Sequence, residues 1–392
     1  MSAEDETLKQ QRKFYSFNKS ITGDDTSTAM WSRKGVMAHP IRLTPSLLFN
    51  NLSSSSTYLA YARMNEVVIS VLGGRNNTVF HKLDAMVYQV KYITMLNDQV
   101  VLVIVMSHGF KVYNNEGNRM LCFRAIRSDI ANAEDPSKQE STFVRGMHAV
   151  KSRNELFIGD SSGNVHVYTY SPNSGANPLS DSYILQDNPA SITEINCSEE
   201  YMACADDSGT IVTYTLTNSE SSGSKRFAKP KCTFKVPNNS CSSVAIKQDT
   251  LISTFTSGHI RIYNLATESL YAIVTAHSRA ITALDVFPEV DNNVFCTVGE
   301  DSVMSVWSHP DFRSSDKADN EISMLCSDIV VDQMLTGCQF INCDHNNNIC
   351  ASAYDGDQLE IWKHNEHAEK ASSSPTKGMG KEKEKEKEEA KT

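Results

Sequence analysis

The segment Gly159-Asp160-Ser161-Ser162-Gly163 has the residue types that surround a serine nucleophile. Such chemistry also needs a base within hydrogen-bonding reach of the serine and a third group that orients the base. The sequence offers no upstream histidine and aspartate in suitable contexts. Ser-Gly pairs recur at 208–209 and 257–258, and small residues of this kind are typical of tight turns. We therefore interpret Ser161 as a turn residue and predict no catalytic residue.

Zinc binding is a second candidate chemistry, because Cys338, Cys343, His345 and Cys350 are all possible zinc ligands within one short stretch. Their spacing lacks the close cysteine pairs of common zinc sites. The repeat pattern instead predicts Cys338 and Cys350 on adjacent strands, with His345 in the turn between them. We therefore predict no metal. No cofactor is expected either, since the sequence has no glycine-rich phosphate loop ending in Lys-Ser/Thr.

Four further residues, His277, Thr297, Asp301 and Trp307, could form a chain of hydrogen bonds. A buried Trp307 needs an acceptor for its indole N–H, and the Thr297 hydroxyl can accept that hydrogen and donate its own. His277 can then accept from Thr297 and donate to Asp301. Every polar group would have a partner, which makes its burial tolerable. His277 could alternatively act as a general base, but the network favours a structural role.

The stretch from Ala276 to Trp307 resembles one WD repeat, the four-stranded blade of a β-propeller. The resemblance implies a place for each residue of the network. His277 would lie in the loop that enters the blade and Thr297 on the second strand. Asp301 would lie in the following tight turn, and Trp307 on the third strand. We therefore expect these four residues to form the structural tetrad of a WD blade.

Segments that resemble the third strand of this blade recur along the chain, each with a turn, an alternating apolar pattern and usually a final Tyr or Trp. Alternation with period two predicts half-buried strands, and a repeat period of ~40–50 residues is typical of propeller blades. Seven copies predict an all-β, seven-bladed WD-repeat β-propeller, with six or eight blades as alternatives. The copies end at Val71, Tyr113, Tyr168, Tyr214, Tyr263, Trp307 and Trp362.

The ends of the ring can also be predicted. The last copy ends near Lys363, before a fourth strand could form, and the segment from Ala38 to Thr44 could supply that strand. Such closure would leave no free sheet edge. We therefore predict a disordered N-terminal extension at 1–36, a propeller at 37–364, and a charged, low-complexity tail at 365–392 that is too poor in apolar residues to pack.

The composition narrows the class of protein. The chain has 392 residues, a net charge of −10 and ten cysteines, and an isoelectric point near 5.6. This acidity argues against a nucleic-acid-binding protein. No apolar run approaches the ~18 residues of a membrane span, and the start lacks a signal-peptide core. The cysteines are scattered singly and do not form the pattern of a disulfide framework, which favours a reducing compartment. We expect a cytoplasmic protein with no membrane insertion; association with vesicles or cilia stays open, as does the oligomeric state.

Several segments of the chain carry a narrower resemblance. They include PIRLTPSLLFNNL at 40–52, VLVIVMSHGFKVY at 101–113, residues 143–168, ADDSG at 205–209, the His277 blade, and residues 330–361. These segments resemble the WD repeat-containing protein 54 family, and the resemblance covers roughly residues 38–363. It implies a non-enzymatic, mostly cytoplasmic propeller, and it leaves the molecular role open.

We expect the protein to act as a scaffold that binds other proteins through its ring faces, where loops carry specificity. The alternative is a structural subunit of a larger ciliary or vesicle-trafficking assembly. A hydrolytic or metal-dependent propeller is a third class, but the repeats place no recurring carboxylates and histidines at the channel. The candidate contact residues on the face with the loops between blades are Arg145, Asp206, Asp207, Ser278, Arg279 and Asp355.

Overall fold

The computed structural model of this chain describes residues 13–16, 31–38, 49–72, 78–126, 143–172, 177–216, 228–289, 292–314, 321–343 and 346–365. Within these ranges the chain forms 29 β-strands in seven sheets. The sheets are the blades of a seven-bladed β-propeller, as the sequence predicted. Two short 3₁₀ turns, Leu96–Asp98 and Lys151–Arg153, complete the regular structure of the described residues. None of the helical segments in these ranges is long and apolar enough to span a bilayer.

In six blades, four consecutive strands follow the chain order from the channel outwards, and one of these six carries an additional fifth strand. The first blade contains β3 (Leu52–Ser54), β4 (Tyr58–Arg63), β5 (Glu66–Val71) and β6 (Thr78–Lys82). The second contains β7 (Val87–Thr94), β8 (Val100–Met106), β9 (Gly109–Asn114) and β10 (Met120–Ala125). The third contains β11 (Val144–Val150), β12 (Glu155–Asp160), β13 (Val165–Tyr170) and β14 (Leu179–Leu185).

The remaining four blades follow the same plan, except that the fifth and the seventh each include one strand from the N-terminal segment. The fourth contains β15 (Ile192–Cys197), β16 (Tyr201–Asp206), β17 (Thr210–Leu216) and β18 (Ala228–Lys235). The fifth contains β19 (Cys241–Lys247), β20 (Thr250–Phe255), β21 (His259–Asn264), β22 (Ser269–Thr275) and β1 (Lys13–Ser16). The sixth contains β23 (Ile281–Val286), β24 (Val294–Gly299), β25 (Val303–Ser308) and β26 (Ser323–Ile329). The seventh contains β27 (Leu335–Cys343), β28 (Asn346–Ala353), β29 (Gln358–His364) and β2 (Trp31–Ala38).

Burial explains why the strands differ in sequence. Second strands are covered on both faces by neighbouring blades, so β8 reads as an unbroken apolar run and β20 is buried at every residue. Outer strands are covered only in part. Strand β14 is buried at its two ends and is exposed at the Ser and Asp residues between them. Seven apolar clusters result among the described residues, and each lies between two adjacent blades. The core is therefore a closed circle of blade interfaces.

The seventh blade is closed by a strand that comes before the first blade in sequence. Strand β2 pairs antiparallel with β29, from Trp31 opposite His364 to Ala38 opposite Gln358. The closing strand is therefore Trp31–Ala38; the prediction of Ala38–Thr44 was wrong, and residues 39–48 lie outside the described residues. The assignment of residues 31–36 to a disordered extension is corrected with it.

The first half of β2 is mostly polar, and this explains the error. An outer strand needs only one buried side, and the indole of Trp31 is 2% exposed while Arg33 stays at the surface. The Arg33 Nε atom lies 3.4 Å from Asp328 Oδ2 of the sixth blade. Strand β1 also falls within the assigned extension, where it pairs parallel with β22. The C-terminal tail from residue 366 lies outside the described residues.

The innermost strands of the second to seventh blades each contain a β-bulge within their first three or four residues. A bulge adds one residue to a strand and redirects side chains there. In the sixth blade the bulge residue Thr282 donates its hydroxyl to Leu335 O (2.7 Å) of the seventh blade. The bulges therefore join neighbouring blades and set which side chains face the mouth of the channel.

Candidate functional site

The sixth blade contains a continuous hydrogen-bonded network. The Trp307 indole N–H donates to Thr297 Oγ1 (3.0 Å), and Thr297 Oγ1 lies 2.9 Å from His277 Nε2. His277 Nδ1 lies 2.9 Å from Asp301 Oδ1. Thr297 accepts from Trp307, so its own hydrogen is directed to His277, which in turn donates to Asp301. The structure thus brings together the four residues singled out from the sequence.

The network fixes a loop rather than presenting a reactive group. Asp301 Oδ2 also accepts the backbone N–H of Ser278 at 2.8 Å. Burial alone would raise the pKa of the Asp301 carboxyl, but its hydrogen bonds with His277 and with the backbone N–H groups of Ser278 and Val303 hold that pKa below its ordinary value. The ionised carboxylate ties the loop of Ser278 and Arg279 to the turn after the second strand. The network therefore contributes to function by holding this loop in position.

The third and fourth blades use an aspartate at the end of the second strand instead. Asp160 accepts the backbone N–H of Ser162 at 2.8 Å and lies 2.9 Å from His166 Nε2. Asp206 accepts the backbone N–H of Ser208 at 2.9 Å and the side-chain amide of Asn188 at 3.1 Å. These aspartates hold the Ser-Gly turns closed. The recurring Asp-x-Ser-Gly pattern was the sequence signal for this role.

This arrangement corrects one candidate contact residue and locates the serine considered as a nucleophile. Asp206 is 0% exposed and bonded internally, so its assignment to the binding face was wrong. The reason is that its carboxylate turns back onto its own turn. Ser161 lies in the corresponding turn of the third blade, where its Oγ accepts the backbone N–H of Phe143 at 3.3 Å.

The other candidate contact residues lie on one face of the ring, which we call the top face. It carries the connections between blades and the turns between second and third strands. Asp207, Ser278, Arg279 and Asp355 are exposed there. Ser240 Oγ donates to Asp207 Oδ1 at 3.2 Å. Within the described residues no hydrogen bond or ion pair joins Asp355 to the other candidates, so the face is a broad surface rather than one cluster.

Arg145 lies at the mouth of the central channel, at the bulge of β11, and is half-buried. Its guanidinium makes no hydrogen bond or ion pair to any residue that the structure describes. Burial lowers its pKa, and the nearby carboxylates of Asp207 and Glu194 oppose that effect. A guanidinium remains charged in any protein setting. Arg145 is thus a partly desolvated cation whose five N–H donors have no partner among the described residues.

Side chains from opposite sides of the ring meet inside the channel, in what we call the channel bridge. Asn50, next to the first blade, donates its amide to Glu194 Oε2 of the fourth blade (3.1 Å) and to Ser243 Oγ of the fifth (3.1 Å). Glu194 also accepts from Gln89 (2.7 Å) and from Lys91 (3.3 Å) of the second blade. One carboxylate therefore holds side chains of two other blades, and no motif in the sequence marks it.

A cavity of about 250 Å³ adjoins the channel bridge, with Lys91, His148 and Asp285 among its lining residues. Burial raises the pKa of Asp285 to about 7, although Gln339 and the Phe340 backbone N–H each donate to its Oδ2 at 2.7 Å. Burial lowers the pKa of His148 to about 3, and the nearby Lys91 adds to that effect. The channel therefore contains a neutral histidine and a carboxyl that titrates near neutral pH.

The cysteines considered as zinc ligands lie in the wall between blades. Cys338 and Cys350 are buried on the adjacent strands β27 and β28. The side chain of Cys343 and all of His345 lie outside the described residues. No group of three or more His, Cys, Asp or Glu side chains suited to a metal ion occurs in the part of the chain that is described.

Comparison with known proteins gives one family. The profile of the WDR54 family matches residues 16–364. WD repeat-containing protein 54 of Mus musculus is 28% identical over 255 residues, which cover 63% of this chain and 69% of the mouse protein. The Homo sapiens protein of the same name is 28% identical over 268 residues, which cover 66% of this chain and 72% of that protein.

Solved structures agree on the architecture. A chain in the crystal structure of the mitotic checkpoint complex superposes with a TM-score of 0.65 at 16% identity, covering 88% of this chain and 95% of that one. Raptor from Chaetomium thermophilum gives a TM-score of 0.62 at 11% identity, covering 86% of this chain and 29% of that one. At such identities the similarity establishes the fold alone.

Proposed function

Because this chain belongs to the WDR54 family, we propose that it is a non-enzymatic scaffold that binds other proteins through the top face of its propeller. The binding face comprises Arg145, Asp207, Ser278, Arg279 and Asp355. Loops held on a rigid scaffold are where binding specificity concentrates. The tetrad and the aspartate-closed turns hold such loops in place on this face.

The main support for this proposal is the environment of the Arg145 side chain. An arginine inside a folded protein normally bonds to a carboxylate or a carbonyl, whereas Arg145 is half-buried and has neither among the described residues. Guanidinium groups bind carboxylates through two parallel hydrogen bonds, and arginine is enriched among residues that dominate binding energy. We infer that a partner places a carboxylate at the channel mouth, where Arg145 receives it.

The rim residues contribute differently. Ser278 and Arg279 are exposed on a loop anchored by Asp301, and exposed charges mainly affect the rate of association and its dependence on salt. Asp355 would disfavour acidic groups placed away from Arg145. We therefore expect the partner segment to be acidic at one position rather than along its length.

The test compares the wild-type chain with Arg145→Glu, Arg279→Glu and Arg119→Glu in pull-downs at matched salt. Arg119 is exposed in the turn between β9 and β10, on the opposite face, so its reversal makes the same change in net charge. We expect Arg145→Glu to weaken partner capture at least tenfold, Arg279→Glu to weaken it less, and Arg119→Glu to leave it unchanged. The same partner set for all four proteins, with equal melting temperatures, would contradict the proposal.

We also propose that the protein resides in the cytoplasm. The nine cysteines whose side chains are described are all free thiols, which suits a reducing compartment. Fractionation of cells that express the full chain tests this. Constant co-migration of the protein with one large ciliary or vesicle-coat assembly would instead support the structural-subunit alternative.

A further inference from the structure

The fifth blade differs from the others by an additional strand at its outer edge. Strand β1 pairs parallel with β22, from Lys13 opposite Ala272 to Ser16 opposite Thr275. This sheet has five strands, and each of the other six sheets formed by the described residues has four. The extra strand comes from the N-terminal segment, and residues 17–30, which connect it to the closing strand β2 in sequence, lie outside the described residues.

The edge that β1 covers has an unusual sequence. Strand β22 reads Ser-Leu-Tyr-Ala-Ile-Val-Thr and contains no charged residue and no proline. Natural edge strands usually carry such residues, because unpaired backbone groups beside apolar side chains invite pairing with another strand. Each of the other six outer strands has at least one charge: Lys82 in β6, Arg124 in β10, Asp181 in β14, Lys231 in β18, Asp328 in β26 and Arg33 in β2.

Two independent observations therefore coincide at one edge, since the uncharged outer strand is also the outer strand with an added neighbour. We propose that the outer edge of β22 is a strand-docking site and that Lys13–Ser16 of the same chain occupies it. Recognition of this kind works through backbone hydrogen bonds between a sheet edge and an extended segment. This site lies at the rim of the ring and is separate from the top face proposed above.

The tether explains how so short a strand can occupy the site. Four residues paired on one side form few hydrogen bonds, so the free segment would bind weakly. Residues 17–30 attach the segment to β2, which is itself part of the ring, and this linkage makes docking intramolecular. A tethered segment competes strongly with untethered strands of similar sequence. The edge is consequently covered in the full chain and becomes available when the segment is removed.

Hydrogen exchange of the β22 amides tests the proposal directly. The full chain is compared with a variant lacking residues 1–16 and with a matched control lacking only residues 1–11, which retains β1. We expect the β22 amides that do not bond to β21 to exchange at least tenfold faster in the first deletion and at an unchanged rate in the control. Equal exchange rates in all three proteins would overturn the proposal.

A substitution within the full chain avoids any effect of shortening it. Alternate residues of a strand direct their N–H groups to one neighbour, so the double substitution Phe14→Pro and Tyr15→Pro removes an N–H that faces β22 whichever residue supplies it. This variant should expose the β22 amides as the deletion does. Phe17→Pro lies just outside β1 and should leave them protected. Equal exposure in the two variants, or exposure in neither, would count against docking by Lys13–Ser16.

The affinity of a labelled peptide of residues 11–18 provides an independent test of the site. The peptide should bind the chain lacking residues 1–16 at least tenfold more tightly than the full chain, whose site is already filled. The same peptide with proline in place of both Phe14 and Tyr15 should not bind. Equal binding of the unmodified peptide to both proteins would show that the edge is not the site of the segment.

Discussion

At the scale of single residues, buried polar groups in this propeller act by fixing loops and neighbouring blades. Asp301 ties the loop of Ser278 to a turn, and Glu194 holds side chains from two other blades. Each works because a buried charge is tolerated only when hydrogen bonds surround it. Removing one member should therefore cost stability before it affects any surface property.

Trp307→Ala should strongly destabilise the sixth blade, since it removes a ring that is 1% exposed and leaves Thr297 without its donor. Truncation of a large buried aromatic residue costs about 3–5 kcal/mol. His277→Ala should cost less, about 1–3 kcal/mol for buried groups left without a partner. Denaturant unfolding measures both. A Trp307→Ala protein with the wild-type midpoint would show that this network does not support the blade.

Asp285 should make stability fall as the pH rises. Its pKa is about 7 in the folded chain and about 4 in an unfolded one, so between these values the folded state holds the extra proton. Stability from this group is complete below about pH 4 and is lost as the pH approaches 7. Asp285→Asn should remove this loss, which is at most about 1.4 kcal/mol per pH unit. Its stability relative to wild type should therefore increase from pH 5 to pH 8, as urea unfolding at both pH values can measure. A constant difference would contradict the shift.

At the scale of elements, the third strands were readable from the sequence because an aromatic residue ends most of them and a turn begins each. The closing strand was not, because its first half is mostly polar and its pairing partner, β29, lies more than three hundred residues away in sequence. The channel bridge was hidden for the same reason, since Asn50 and Glu194 meet only after the ring has closed. Asp206 was wrongly assigned to the binding face because aspartate is common both at exposed turn positions and at positions where its carboxylate closes a turn.

Deletion of residues 1–30 should leave a folded ring, whereas deletion of residues 1–38 should not. The longer deletion removes Trp31, whose ring lies 4.7 Å from that of His364, and it exposes the edge of β29. Loss of the tryptophan alone is worth about 3–5 kcal/mol. Thermal unfolding of the two proteins, compared with the full chain, provides the measurement. Similar melting temperatures for both deletions would mean that β2 is not needed for closure.

At the scale of the whole molecule, the core consists of interfaces between blades, and the cysteines lie within it. Cys204 and Cys296 are 0% exposed, whereas Cys232 is half-buried. Burial also raises the pKa of each of these thiols, which lowers the thiolate fraction that reacts.

Thiol labelling of the native protein should therefore modify Cys232 well before Cys204 or Cys296, and the latter two should react only after denaturant is added. Mass spectrometry of peptides taken at several times gives the order. Rapid labelling of Cys296 in the native protein would contradict the closed interface between the sixth and seventh blades.

The register of β2 against β29 has a mechanical consequence. Trp31 is paired with His364, so the chain enters one strand and leaves the other at the same end of the pair. Tension applied between Trp31 and His364 would act across the strands rather than along them. The load would fall on one pair of hydrogen bonds at a time, beginning at Trp31 and moving towards Ala38. Tension applied at the N-terminal end of the chain would first pull β1 from β22, and the seventh blade would then open one residue pair at a time.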